Sequence, residues 1–245
     1  MYRKIAFLIL VLNFQAANSA QILVDPDYGH LRFEGVIDHG TPDGFEVSIN
    51  YIRDSGYAGP ISILLDSPGG DVEAAFEAGR IIRKHEVIVG VPLHSKCYSS
   101  CVFLVAGGID RLIFGEIGIH RPFFLSSPED VDQSLKRVLL LSKKYLEEMN
   151  IPSSLADDMF SIAPSDIKVL KPNEISIYRL GGPDMVYSEK RELAMAKQLG
   201  LSRLEYMERE RQASKLEKEC SENFPETDEW LECYQKARRD LGLTL

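Results

Sequence analysis

The sequence predicts an α/β domain built on a parallel sheet with crossover helices, followed by a helical C-terminal extension. Three observations carry this prediction. Ile61-Ser62-Ile63-Leu64-Leu65 is a nearly continuous apolar run ended by Ser67-Pro68-Gly69-Gly70, as expected of a strand covered on both faces. An alanine-containing helical stretch, Asp71 to Arg83, leads into a second such run, Val87-Ile88-Val89-Gly90-Val91, which completes a βαβ unit. From Ser188 onward Glu, Lys, Arg and Ala dominate, the composition of polar-faced helices.

Taken in order, the chain opens with Met1-Tyr2-Arg3-Lys4, an apolar Ile5 to Leu12, and small residues from Ala16 to Ala20. A charged start, a short apolar stretch and a small-residue cleavage site read as an export signal over residues 1–20, cut near Ser19 or Ala20. A buried strand or a membrane anchor is the competing reading; the apolar run is short for a bilayer core of about 30 Å. Export would leave roughly 225 residues, enough for one well-filled domain with an appendage, divided here into 21–187 and 188–245. Gln21 to Asp25 and Leu31 to Ile37 read as short strands. Thr41-Pro42-Asp43-Gly44 then opens a helix carrying Phe45, Val47, Ile49 and Ile52.

Beyond the βαβ unit, Ser99 to Ala106 can be a helix, and Arg111 to Phe114 and Ile117 to Ile119 are strand-like. Val131 to Met149 is a long amphipathic helix, and Pro152 to Ser161 a second. A short Lys168-Val169-Leu170 strand and a helix start at Pro172-Asn173-Glu174 follow, then Ile175-Ser176-Ile177-Tyr178.

The formal charge is −9, and losing Arg3 and Lys4 with the leader takes it to −11. Basic residues are not clustered, which argues against nucleic acid or anionic membrane as a partner. Four cysteines in an exported chain point to disulfides. Cys220 and Cys233 flank a turn at Asn223 to Asp228, so a bridge there would staple a helical hairpin; Cys97 and Cys101 would bridge across the two serines between them. A four-cysteine metal site is the rival, but Cys220 and Cys233 are too widely spaced for a usual ligand pair and no histidine is near them.

Three short segments carry chemistry. Ser67-Pro68-Gly69-Gly70-Asp71 is a turn able to present bare N–H groups before a helix, suited to an oxyanion, though many strand-to-helix turns bind nothing. Ser99 opens the apolar Val102-Phe103-Leu104-Val105 stretch, where an N-cap is the commoner use of serine. Ser100 competes with it, and periodicity does not choose between them. His120 ends the Gly118-Ile119 strand before Arg121-Pro122, and it alone among the histidines joins a strand terminus with nearness to the serines.

Together, Leu65-Asp66-Ser67-Pro68-Gly69-Gly70, Tyr98-Ser99-Ser100-Cys101-Val102-Phe103-Leu104 and Gly118-Ile119-His120-Arg121-Pro122 resemble the proteolytic subunit of Clp protease, in the Clp/crotonase superfamily, and most of all its exported bacterial relatives. The resemblance runs from about Phe33 to Leu180. It implies a spiral of ββα units, a nucleophile at Ser99, a general base at His120 and a third member at Asp166, with Asp157 and Asp158 as rivals. It further implies an oxyanion hole from the N–H groups of Gly70 and Ser100, with Gly69 beside them. The serine-to-histidine interval is a few residues shorter than the family's, and Arg179 stands where the family often has glycine.

The function implied is that of an exported, periplasmic or secreted serine peptidase acting on a peptide or protein, with no cofactor or metal. A homo-oligomer fits the resemblance, and without ATP outside the cytoplasm no ATP-driven unfoldase is expected. A catalytically silent scaffold is the alternative. A thioester enzyme of the crotonase type is a third, disfavoured by export and by the Ser/His pair.

Overall fold

In a computed structural model of the protein, residues 20–123, 130–223 and 228–244 are described below. The export signal, apart from Ala20, and most of the turn between Cys220 and Cys233 lie outside them. The chain forms two compact units, divided between Asp184 and Met185.

The first unit is a mixed α/β fold with a largely parallel sheet. Strands β1 (Gln21–Asp25) and β2 (His30–Glu34) form an antiparallel hairpin at one edge. Helix α1 (Thr41–Asp54) follows, and its Phe45, Ile49 and Ile52 recur at three and four residues, so all three are buried. Then come β3 (Ser62–Asp66), α2 (Val72–Lys84) and β4 (Ile88–Val91). Next are β5 (Lys96–Tyr98), α3 (Cys101–Gly107), β6 (Asp110–Ile113) and β7 (Glu116–Ile119). The unit ends with α4 (Val131–Glu148), α5 (Ser154–Ser161), β8 (Lys168–Val169), α6 (Pro172–Ile177) and β9 (Gly182–Pro183).

Two sheets share these strands. The larger runs β1-β2-β3-β4-β6-β9, parallel from β2 through β6, and the smaller runs β5-β7-β8. Each turn of the chain gives one strand to each sheet: β4 then β5, and, after α3, β6 then β7. Ile61 just before β3 with Ile63 and Leu65 on it, and Val87 just before β4 with Val89 and Val91 on it, are fully buried. An aromatic cluster joins α2, α3 and α4: the Phe76 and Phe103 rings lie 4.7 Å apart, and Tyr145 stacks on Phe76 and donates to the Phe103 carbonyl at 2.6 Å.

The second unit holds α7 (Met185–Gln198), α8 (Arg203–Asn223) and α9 (Asp228–Asp240). A disulfide between Cys220 and Cys233 and a two-pronged pair from Arg238 to Glu210, at 2.8 and 3.0 Å, join α8 to α9. Arg203 on α8 reaches Glu189 and Glu192 on α7, each at 2.8 Å. No helix among the described residues is long and apolar enough to cross a membrane.

Candidate active site

The turn after β3 is stitched to its neighbours on both sides. The Ile37 N–H donates to the Gly69 carbonyl and the Asp71 N–H to the Ile37 carbonyl, both at 2.9 Å. Opposite, the Ser67 N–H donates to Lys96 at 2.7 Å and the Tyr98 N–H to Ser67 at 3.0 Å. The buried Ser67 hydroxyl donates to the Gly35 carbonyl and accepts from the Gly69 N–H at 3.1 Å. Gly69 has φ +96°, and a β-carbon there would lie 2.7 Å from the Ser99 β-carbon. The missing side chain lets the turn lie directly against Ser99. Asp71 caps α2 by accepting from the Ala74 N–H at 2.8 Å.

Ser99 stands between β5 and α3 with φ +56°, a left-handed conformation unusual for a residue with a side chain. Its N–H donates to the Gly118 carbonyl at 2.9 Å, so pairing with β7 continues through the bend. A disulfide between the buried Cys97 and Cys101 brackets it, with Cα atoms 5.2 Å apart. Ser99 is partly exposed and its hydroxyl meets no hydrogen-bond partner among the described residues, whereas Ser100 is 1% exposed and its hydroxyl is bonded. The two serines that periodicity leaves equal thus differ in what their hydroxyls can reach.

His120 follows β7 and is 7% exposed. Strands β5 and β7 run parallel, with Tyr98 opposite Gly118, so Ser99 and His120 leave the same end of neighbouring strands. His120 Nδ1 lies 2.9 Å from the Arg121 carbonyl. A carbonyl only accepts, so in the neutral ring Nδ1 carries the proton and Nε2 keeps the lone pair that a general base needs. The Arg121 N–H donates to Ile162 at 3.0 Å, which anchors that peptide.

Asp166 reaches the same end of the small sheet, because β8 runs antiparallel to β7 with Lys168 opposite Ile119. Its exposed carboxylate accepts from Ser165 at 3.3 Å and makes no hydrogen bond to His120. The imidazole nitrogen that Asp166 is expected to orient, Nδ1, meets the Arg121 carbonyl here. Of the rivals, Asp157 pairs with Lys143 at 2.7 Å and Asp158 accepts from the Tyr178 hydroxyl. Burial first, and then the Asp158 bond, push the Tyr178 phenol up to about 12.

The expected oxyanion donors are also not equivalent. The Ser100 N–H meets no acceptor among the described residues, whereas the Gly70 N–H donates to the Ser100 hydroxyl at 2.8 Å. That hydroxyl donates in turn to the Gly70 carbonyl at 3.0 Å. Sequence reading missed this contact, and its one trace is a hydroxyl-bearing residue directly after Ser99. Tyr98 adds a wall to the site. Its ring covers Gly118, where a β-carbon would lie 2.5 Å from it, and its hydroxyl donates to Glu116, whose carboxylate pushes the phenol up to about 12. Among the described residues no group of three or more His, Cys, Asp or Glu side chains is placed to hold a metal ion.

No family model matches the chain, and no curated protein does. Solved structures do. A mutant of the 1510-N membrane-bound stomatin-specific protease superposes with a TM-score of 0.50 at 20% identity, over 66% of this chain and 82% of that one. A ClpP1 mutant from Listeria monocytogenes superposes with a TM-score of 0.51 at 18% identity, over 64% of this chain and 90% of that one. At such identities the likeness is one of fold: this chain has the fold of ClpP-like proteases.

Proposed function

We propose that the protein is an exported serine peptidase that works through an acyl-enzyme on Ser99. The observation that carries the reading is a partly exposed serine in a left-handed bend and, at the same end of the neighbouring strand, an imidazole whose Nδ1 lies 2.9 Å from the Arg121 carbonyl. With Nε2 as base, the Ser99 hydroxyl gives up its proton as Oγ attacks a peptide carbonyl carbon, and the carbonyl oxygen becomes anionic. The Ser100 and Gly70 N–H groups serve that oxygen. His120 then returns the proton to the leaving amine as the C–N bond breaks, and water, activated by the same imidazole, hydrolyses the ester. Asp166, at the same end of the sheet, supplies negative charge near the imidazolium, which an induced approach of substrate would strengthen.

Export is supported by the leader's residue pattern and by two disulfides, which suit an oxidising compartment. The ClpP-like fold supports peptide substrates and a homo-oligomer. One observation favours the second reading, a catalytically silent scaffold: the Gly70 N–H is already occupied by Ser100. A fluorophosphonate probe on the purified mature protein decides between them. Labelling abolished by Ser99→Ala is expected; labelling that survives this change overturns the Ser99 assignment, and none in the unmodified protein at any pH from 6 to 9 counts for the scaffold.

A further inference from the structure

We infer that the Ser100 hydroxyl is a latch on the oxyanion site: it holds the Gly70 N–H in the resting protein and releases it only when charge develops on an oxygen bound at Ser99. The inference rests on the reading of Ser99 as nucleophile. Both glycine N–H groups of the turn are taken by serine hydroxyls, Gly69 by Ser67 and Gly70 by Ser100. The two bonds differ in kind. The Ser67 hydroxyl also donates to Gly35 at 2.7 Å, across to the strand on the far side of the turn, and so belongs to the framework. Ser100 instead follows the nucleophile, its own N–H meets no acceptor among the described residues, and its hydroxyl loops back to the Gly70 carbonyl.

Nothing else depends on that hydroxyl. Ser100 is the N-cap of α3, yet its side chain makes no cap bond, so turning it away leaves the helix start as it is. At 1% exposure it competes with no water for Gly70, which keeps the latch closed against solvent. A neutral carbonyl oxygen offers Gly70 one neutral bond in place of the two that Ser100 makes with that residue, and does not displace the hydroxyl. An oxyanion does, since bonds to an ionised acceptor are roughly twice as strong as neutral ones. The Gly70 donor is therefore spent on the transition state and withheld from bound substrate, at the cost of breaking the two neutral hydrogen bonds between Ser100 and Gly70.

The test uses the oxidised, mature protein as wild type, Ser100→Ala and Ser99→Ala. With the latch removed, fluorophosphonate labelling of Ser99 in Ser100→Ala is expected to run about three- to tenfold faster, the scale of one neutral hydrogen bond. The Gly70 amide, followed by NMR with ¹⁵N-labelled protein, is expected to move and to exchange faster in this variant without any ligand. In the wild type the same amide is expected to shift when a leucine dipeptide boronate forms a tetrahedral adduct on Ser99. Equal or slower labelling of a folded Ser100→Ala overturns the latch, as does a Gly70 amide unmoved by the wild-type adduct. Should Ser100→Ala not fold, the wild-type adduct decides alone. If neither wild type nor Ser100→Ala is modified at Ser99, the nucleophile assignment falls and the latch with it; modification at Ser99 without acceleration removes the latch only.

Discussion

A β-carbon on Gly70 would stand 2.1 Å from the Ile37 carbonyl oxygen and 2.7 Å from its nitrogen, the two atoms that tie the turn after β3 to the chain beyond β2. No rotation relieves that clash, because the obstacle is backbone. Gly70→Ala is therefore expected to push the turn off Ile37, moving the Gly70 N–H from its place beside Ser100. Loss of one oxyanion donor typically lowers turnover about 10²–10³-fold, and probe labelling of Ser99 in a variant checked for folding by circular dichroism measures it. Labelling within twofold of wild type would show that Gly70 is not a donor. At this scale the sequence marks His120 as a strand-end residue, and it does follow β7, while the choice of Ser99 over Ser100 comes from the family resemblance alone. What was not legible is the partner of His120. The Arg121 carbonyl has no side-chain signature, so Asp166, an acid at a matching motif position, was the natural expectation. The Ser100 contact escaped for a related reason, since it depends on how close the turn and the start of α3 come across 30 residues of chain.

Helices α3, α4 and α6 end around a buried charge cluster. Arg111, 2% exposed, donates to the carbonyls of Val105 and Ala106 near the end of α3 at 3.1 and 2.9 Å, to Met149 after α4 at 3.3 Å, and to Arg179 after α6 at 3.0 Å. Arg83 from α2 adds bonds to Ala106 and Met149 at 3.1 and 3.2 Å. Helix ends leave carbonyls unpaired and carry partial negative charge, so two guanidiniums satisfy both needs. Burial pulls the Arg111 guanidinium down to about 10, with Arg83 nearby acting in the same direction. Asp184, 3% exposed, offsets this: it accepts from Arg83 at 2.8 Å and from Asn150 at 2.9 Å, and Arg111 lies 3.5 Å away. Removing that carboxylate leaves the buried Arg111 and the partly buried Arg83 without the anion between them. Asp184→Ala is expected to cost about 3–5 kcal/mol, the usual penalty for breaking a buried pair from one side, read as a lower denaturant midpoint. A loss under about 1 kcal/mol, the scale of an exposed pair, would mean that the carbonyls alone hold the arginines. The sequence shows these residues only as charges in a helix, in a strand and before a helix. Their convergence is tertiary and has no local pattern.

Across the whole molecule, the parallel sheet was legible because β3 and β4 read as nearly unbroken apolar runs, although on β3 one face is buried and Leu64 on the other is half-buried. The division into two sheets was not, because β5 and β7 are three and four residues long and carry no period that distinguishes them from β4 and β6. The two units nevertheless share one property that can be tested in a single titration. Glu116 pushes the Tyr98 phenol up to about 12, and burial does the same for Tyr178 and Tyr206, helped by Asp158 and Glu210. Tyr145, fully buried among Phe76 and Phe103, is raised further by desolvation. In each case the folded value lies above the unfolded one near 10, so the folded chain keeps protons that the unfolded chain has lost. The stability these phenols contribute is complete below pH 10 and drains away as pH climbs from 10 towards 12. Absorbance at 295 nm and far-ultraviolet circular dichroism, followed together from pH 8 to 13, are expected to show two stages. These four ionise in the later stage, above pH 10, and Tyr145 only as helicity is lost. A single transition near pH 10 with circular dichroism unchanged would mean that none of the four is held by the contacts described.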